Sequence, residues 1–151
     1  MPYKLYTFAF SLLFSLCAMS QVKWMDFNNL PIEFKASKKP LLLFIHTDWC
    51  KICKMQEGTV FADDSISKQL NEQFNTLKLN AEDVNDISFF GRTYQGATSN
   101  SYHEFAEYIG KEGNVLNFPT LLILNERLEI VYKKAGFVSK EELLIQISCV
   151  K

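Results

Sequence analysis

Two cysteines three positions apart, directly after an unbroken apolar run, constrain the fold of this chain more than any other feature. The run from Leu41 to Ile45 contains no polar residue, which is typical of a strand buried on both faces of a sheet. Residues 46–48 favour a turn, and the segment that begins at Cys50 reads into a helix. The pattern predicts an α/β arrangement with Cys50 and Cys53 at a strand-to-helix junction.

The spacing of the two cysteines has a chemical consequence. One helical turn brings both sulfurs to the same side of the helix, close enough to form a disulfide bridge. The helix N-terminus offers unpaired N–H groups and partial positive charge to Cys50, and Lys51 and Lys54 add positive charge nearby. These features favour the thiolate, which is the attacking form of cysteine. We therefore predict that Cys50 is the more exposed nucleophile and Cys53 the shielded resolving thiol of a disulfide-exchange reaction.

Other interpretations of the cysteine pair stay open at this point. A purely structural disulfide would close a very small loop and would constrain little of the unfolded chain. A soft-metal carrier would use Cys50, Cys53 and His46 as ligands, although structural zinc sites usually have two ligand pairs and this sequence offers one.

Hydrophobic spacing and capping residues predict the rest of the secondary structure. The predicted helices cover residues 27–37, 63–74, 101–109 and 139–150, the predicted strands cover residues 76–80, 120–124 and 128–133, and residues 87–95 favour a small hairpin. Ser101 and Ser139 each begin a capping box that a glutamate completes three residues later. Because strands joined by helices should be parallel and the last tight turn favours an antiparallel pair, we expect a mixed central sheet of four to five strands with helices on both faces.

Three segments together resemble the thioredoxin superfamily. Residues 41–54 are similar to its first central strand and active-site turn, residues 118–120 to its cis-proline segment, and Gly136 to the glycine before its last helix. The resemblance extends over about residues 24–150 and implies a thioredoxin fold. Trp24 and residues 55–61 resemble one subgroup, the exported thioredoxin-like proteins akin to the C-terminal domain of the bacterial interchange protein DsbD.

The resemblance implies an activity and a set of site residues. It implies a protein-disulfide oxidoreductase, a reductase or isomerase rather than an oxidase, that acts on cysteine-containing proteins and exchanges electrons with a further redox partner. Pro119 would be cis and lie against the cysteine pair, and the backbone of Phe118 would pair with an extended substrate segment. Trp49 would shield the bridge, while Lys51 and Ile52 would tune its reduction potential. No bound cofactor or metal is expected, because the cysteine pair itself carries the electrons.

The sequence departs from the superfamily pattern in two places. Thioredoxin carries a buried carboxylate six residues before its first cysteine, and Phe44 stands at that position here. Glu57, one turn beyond Cys53, is the candidate proton acceptor that would replace it, with a solvated helix residue as the alternative. Residues 82–113 are longer than a minimal thioredoxin needs, and this insert would either shape substrate choice or form a solvated loop. A non-catalytic thioredoxin-like module that binds partners through the insert stays an alternative.

The first twenty residues predict a secretory signal. Lys4 is followed by a short apolar stretch and by the small residues Ala18 and Ser20, which favours cleavage after Ser20 and leaves residues 21–151 as one domain in the periplasm. An uncleaved anchor is the alternative. The chain has 16 basic and 17 acidic residues, so no charge excess favours nucleic acid or a membrane surface. We expect a monomer without membrane insertion, an exposed His103 and a buried, inert Cys149.

Overall fold

The computed structural model describes residues 21–150, so the predicted signal segment, residues 1–20, lies outside the described part of the chain. The helices are α1 (Leu30–Ser37), α2 (Lys51–Met55), α3 (Asp64–Gln73), α4 (Glu104–Gly110) and α5 (Lys140–Cys149), with a π-helical segment at Gln56–Phe61. The strands are β1 (Leu41–His46), β2 (Asn75–Asn80), β3 (Ile87–Phe89), β4 (Arg92–Tyr94), β5 (Thr120–Leu124) and β6 (Ile130–Ala135).

Four strands form the central sheet in the order β2-β1-β5-β6. β1 runs parallel to β2 and antiparallel to β5, and β5 pairs antiparallel with β6. The expected mixed sheet with helices on both faces is therefore confirmed, and it has the thioredoxin fold. β3 and β4 form a separate two-stranded sheet that turns at Gly91, where φ is +85°. That positive φ is the conformation that glycine adopts without steric cost.

The alternation of side chains along β1 divides the core into two clusters, one on each face of the sheet. Leu42 and Phe44 face a cluster that contains both cysteines and the buried sides of α3 and α5. Residues Leu41, Leu43 and Ile45 face the opposite cluster, which α1 and α4 cover. Every residue of β1 is buried, because helices cover both of its faces and strands pair with both of its edges. The turn that follows β1 thus starts from a rigid position.

The residues 82–113 form structure rather than a solvated loop. They contain the β3–β4 hairpin and α4, and Phe105 of α4 is fully buried in ring contact with Phe27, Phe89 and Tyr94. His103 is also fully buried, so the expectation of an exposed histidine is wrong. Its ring accepts a hydrogen bond from the N–H of Phe105 at the start of α4.

Two further local predictions are wrong. The capping box expected at Ser101 does not form, because Ser101 pairs with Thr98 through backbone and hydroxyl contacts and His103 caps α4 instead. Cys149 is exposed and free rather than buried in the core. By contrast, Ser139 caps α5 as predicted, accepting from the N–H of Glu142. Within residues 21–150, no helix is long and apolar enough to cross a membrane.

Candidate active site

The cysteine pair lies where β1 turns into α2. Cys50 has an extended backbone and caps the helix, and its Sγ accepts a hydrogen bond of 3.0 Å from the N–H of Cys53. The two cysteines form a disulfide, with their Cα atoms 5.2 Å apart. Cys50 is the more accessible of the two, as predicted, but its exposed fraction is only 4% and that of Cys53 is 1%. Both cysteines are therefore buried in the disulfide form. Lys51 and Ile52, between them, are exposed on the first turn of α2.

Aromatic side chains from three segments meet beside the pair. Trp49, which is 60% exposed, contacts the edge of Phe118 at a ring-centre distance of 5.9 Å. Phe118 also contacts Tyr102 at 5.1 Å and packs against the core cluster that holds the cysteines. The Phe118–Pro119 peptide bond is cis, as predicted. The active-site turn, the proline segment and the insert therefore share one continuous aromatic surface.

Phe44 is fully buried among aromatic side chains, in the same core cluster as the cysteine pair. Its ring stacks on Trp24 and on the ring of His46 and meets Phe61 edge-on, with a ring-centre distance of 5.0 Å to Phe61. No polar group replaces the carboxylate at this position of β1. The π-helical segment does supply a carboxylate on this side of the sheet, because its residue Glu57 forms an ion pair with Lys78 of β2. Lys78 is the direct register partner of Phe44 in the parallel pair β1–β2.

His46 lies at the buried end of β1 on the same face as Phe44. Burial, and then the positive charge of Lys78, lowers the pKa of its imidazole, which favours the neutral ring. The metal-carrier interpretation required His46 to act together with two free thiolates, whereas the cysteines here are bonded to each other. Among the described residues, no group of three histidine, cysteine or acidic side chains is arranged to hold a metal ion.

Hydrogen bonds of two side chains at the site, Gln56 and Trp49, were not predicted from the sequence. The buried amide of Gln56 donates to the carbonyl of Val138 and accepts from its N–H, with distances of 3.0 and 2.9 Å, and so joins the start of the π-helical segment to the residues before α5. Trp49 Nε1 donates to Glu82 Oε1 at 2.9 Å, which joins the active-site turn to the insert. Both side chains bond to residues far away in the sequence, which a local pattern does not report. For Gln56, the one available signal was a polar residue at a helix position that is otherwise apolar.

Comparisons with known proteins agree with this geometry. A family model described as a thioredoxin-like domain matches residues 27–151. The thiol:disulfide interchange protein DsbD of Yersinia pestis is 31% identical over 114 residues, which cover 73% of this chain and 16% of that protein. The DsbD of Campylobacter jejuni is 25% identical over 122 residues, covering 81% of this chain and 18% of that protein. The chain thus spans less than a fifth of the length of these curated relatives.

Solved structures share the fold at low sequence identity. A thioredoxin from Thermus thermophilus superposes with a TM-score of 0.61 at 16% identity, covering 86% of this chain and 87% of the other. The reduced C-terminal domain of DsbD from Neisseria meningitidis superposes with a TM-score of 0.55 at 13% identity, covering 82% and 92%. At these identities the likeness establishes the fold, while the family match rests on the sequence.

Proposed function

The chain belongs to the family of thioredoxin-like domains, and from that premise we propose that it is a thiol-disulfide oxidoreductase acting through Cys50 and Cys53. One observation carries the proposal: a disulfide at the N-terminus of α2, with Cys50 as the cap that accepts the N–H of Cys53. In that position the helix N-terminus stabilises negative charge on Cys50 when the bridge opens. The curated DsbD relatives, named thiol:disulfide interchange proteins, support the same chemistry.

Cys50 and Cys53 supply both of the electrons that reduce one substrate disulfide. In the reduced protein, the Cys50 thiolate attacks one sulfur of a substrate disulfide, forms a mixed disulfide and releases the other substrate sulfur, which takes up a proton. Cys53 then loses its proton and attacks the Cys50 sulfur, which closes the bridge and releases the second substrate thiol. Two electrons pass to the substrate, and a dithiol redox partner restores the reduced protein by the same steps in reverse.

We propose that cysteine-containing proteins are the substrates and that disulfide reduction or isomerisation is the physiological direction. Trp49 and Phe118 offer exposed and half-buried aromatic surface beside the pair, which suits contact with a polypeptide. In this proposal Pro119 supports the substrate segment that pairs with Phe118, and Lys51 and Ile52 tune the potential from the first turn of α2. The electrons reside on the cysteine pair, so the proposal includes no cofactor.

Reduction of the disulfides of insulin tests this function. The wild type should turn over with dithiothreitol as reductant, Cys50→Ala should abolish turnover, and Cys53→Ala should stop at a trapped mixed disulfide that mass spectrometry detects. Cys149→Ala is the matched control, because this exposed thiol is free and lies outside the site, and it should retain wild-type turnover. Substantial turnover by Cys50→Ala would refute the assignment of the nucleophile.

We propose that the protein is exported and acts in the periplasm as a monomer. Lys4, the apolar stretch after it, and Ala18 and Ser20 support cleavage after Ser20. The intact mass of protein recovered from the extracytoplasmic space should correspond to residues 21–151. Recovery of a membrane-bound species that retains Met1 would contradict this part of the proposal.

A further inference from the structure

A groove of about 700 Å³ lies in the insert, next to the aromatic surface beside the cysteine pair. The segment 97–102 forms one wall, and Glu82, Val84 and Glu107 complete the lining. The lining mixes hydroxyl and amide groups with two carboxylates. Among the described residues that line it, none is a lysine or an arginine.

The groove is continuous with the active site through two of its lining residues. Glu82 accepts the hydrogen bond from Trp49 Nε1, the residue next to Cys50. Tyr102 contacts the ring of Phe118, the residue before Pro119. A polypeptide whose cysteine reaches Cys50 therefore has a direct path into the groove.

Glu82 and Glu107 give the groove a negative character. Glu107 is partly neutralised by Lys111, at 3.2 Å. Glu82 is exposed and forms no ion pair within the described part of the chain, and only one of its carboxylate oxygens accepts the bond from Trp49. Its backbone is fixed, because its N–H donates to the side chain of Asn80 at the end of β2. The structure thus holds a carboxylate without an ion-pair partner in the described part of the chain, hydrogen-bonded to the residue next to Cys50.

The groove is formed before any ligand arrives. The backbone of Gly96 passes so close to residue 84 that an added Cβ would lie 2.0 Å from the carbonyl oxygen of Val84. The N–H of Ala97 donates to the carbonyl of Asp83 at 2.7 Å, and the N–H of Gly96 donates to Asp86. These contacts fasten the wall at residues 96–97 to the segment that carries Glu82, so binding requires little ordering of the insert.

We propose that this groove is a substrate-selecting subsite that binds a basic side chain flanking the reactive cysteine of a protein substrate. The inference rests on the proposed function and adds the chemical class of the substrate segment. Glu82 supplies the charge, and its bond to Trp49 links the bound segment to the aromatic surface beside Cys50. The hydroxyl and amide groups of residues 98–101 provide hydrogen-bonding partners for the segment that carries the basic side chain.

Peptide disulfides of matched sequence test the subsite. Each peptide carries one cysteine as a mixed disulfide with 2-mercaptoethanol, and a single arginine or glutamine is moved along the peptide one residue at a time. At the positions that reach the groove, the arginine peptide should react with the reduced protein about two- to five-fold faster, which is the gain that one exposed ion pair gives. Glu82→Gln keeps an acceptor for Trp49 and should remove the preference, and Glu82→Lys should reverse it. Glu72→Gln, which neutralises an exposed carboxylate of α3 away from the groove, is the matched control and should keep it.

The neutral compound 2-hydroxyethyl disulfide separates the two proposals. It cannot fill the groove, so its rate of reduction by each protein reports the basal exchange, and the arginine preference of each variant is taken after its peptide rates are divided by that rate. If the wild type fails to reduce it, the proposed function itself is wrong. If the wild type reduces it but shows no arginine preference at any position, or if Glu82→Gln keeps the full preference, the subsite is refuted.

Discussion

Phe44 and Glu57 together stand in for the buried carboxylate of thioredoxin: Phe44 occupies its position in β1, and Glu57 offers a carboxylate from another element. Phe44 fills the buried position of β1 with an aromatic ring, and Glu57 comes from the π-helical segment to pair with Lys78, the register partner of Phe44. The Glu57 side chain is 34% exposed, so solvent reaches its carboxylate. It also lies one turn beyond Cys53, within reach of the same side of the helix. We therefore propose Glu57 as the group that accepts the Cys53 proton.

Replacing Glu57 should slow release of the substrate from the mixed disulfide. Glu57→Gln removes the acceptor while keeping the size of the side chain, and release should slow by about 100-fold near neutral pH, which is the lower end of what a positioned base contributes. The measurement is single-turnover kinetics on a Cys50-linked peptide across pH, where the rate of the variant should recover as hydroxide replaces the base. Glu141→Gln, on an exposed position of α5, is the matched control. Release that is equally fast in the Glu57 variant would show that no acceptor limits this step.

Phe44→Asp should place the acceptor where thioredoxin has it, at a cost in stability. The carboxylate would be desolvated among Trp24 and Phe61, and Lys78 is already paired with Glu57. Burial raises the pKa of such a carboxylate above its unfolded value of about 4, so the folded state binds a proton that the unfolded state has lost. The free energy of unfolding of the variant should therefore fall, relative to that of Phe44→Leu, as pH rises above about 4. Urea titrations of both variants at several pH values check this, and a difference between the two variants that is the same at pH 7 as at pH 4 would contradict it.

The buried amide of Gln56 should contribute strongly to stability. Gln56→Ala leaves both the N–H and the carbonyl of Val138 without partners, and each unpaired buried group costs about 1–3 kcal/mol. We expect the free energy of unfolding to fall by about 2–4 kcal/mol in urea titrations of the oxidised protein. Gln69→Ala is the control, since the amide of Gln69 makes one exposed bond to Ser65, and it should change stability by less than about 0.5 kcal/mol. Equal effects of the two substitutions would refute the role of Gln56.

At the scale of the elements, His103 fastens the insert to the domain. The Phe105 N–H donates to Nδ1, so Nδ1 is the unprotonated nitrogen and Nε2 carries the hydrogen that donates to the carbonyl of Asn85. Protonation of Nδ1 would remove the acceptor that caps α4. The cap therefore requires the neutral imidazole, whereas the Nε2–H can donate to Asn85 in either form, and the start of α4 depends on the protonation state of His103.

Stability should decrease as pH falls below 6.5, and His103 should account for part of the decrease. Burial is the main cause of its lowered pKa, and it outweighs the hydrogen bond to the Asn85 carbonyl and the charges of nearby carboxylates, which raise the pKa. The unfolded chain thus takes up a proton near pH 6.5 that the folded chain binds only at lower pH, so stability present above pH 6.5 is lost as pH falls toward the folded pKa. His46, whose pKa is also lowered, acts in the same direction. His103→Asn retains a capping side chain without a titrating group, so urea titrations should give a smaller slope with pH than the wild type; an unchanged slope would contradict the prediction.

The two capping boxes show where prediction from sequence succeeds and where it ends. Ser101 and Ser139 occupy the same pattern, a serine with a glutamate three residues later, yet only Ser139 caps its helix. The hydroxyl of Ser101 contacts that of Thr98, and its backbone N–H and C=O both pair with Thr98, so it is committed to the turn before α4. The cap of α4 is consequently His103, two residues after Ser101. His103 can accept the N–H of Phe105 because burial favours its neutral ring. A local pattern cannot report that burial.

At the scale of the whole molecule, the site could be predicted where neighbouring residues determine it. The apolar run of β1 and the spacing of the cysteines predicted the strand, the turn and the bridge, whereas the cis proline was predicted from the resemblance of residues 118–120 to the thioredoxin superfamily. The bond between Trp49 and Glu82 spans 33 residues, and that between Gln56 and Val138 spans 82, so neither follows from any local pattern. The groove depends on the close approach of Gly96 to Val84, and the first of these bonds connects it to the active-site turn. It is therefore a property of the assembled fold alone.

The cysteine bridge couples the active site to the stability of the whole molecule. The bridge joins residues only three positions apart, and the chain-entropy model gives such a loop a stabilisation of about 2 kcal/mol over the reduced form. The reduced form recovers part of this, because the Cys53 N–H and the N-terminus of α2 both interact more strongly with a thiolate than with a bridged sulfur. By linkage, each 1.4 kcal/mol by which folding favours the dithiol over the bridge raises the reduction potential by about 30 mV relative to the unfolded chain.

We therefore expect the oxidised protein to be more stable than the reduced protein by less than about 2 kcal/mol near neutral pH, because the loop is short and the helix N-terminus favours the open thiolate. Urea titrations with and without dithiothreitol measure the difference. The reduction potential of the folded protein against glutathione, compared with that of the chain unfolded in urea, measures the same quantity independently. The double variant Cys50→Ser with Cys53→Ser is the control, and its stability should not respond to dithiothreitol. A difference well above 2 kcal/mol would mean that reduction loosens α2 from the sheet, in which case the Gln56–Val138 bond should also be lost and Gln56→Ala should cease to destabilise the reduced form.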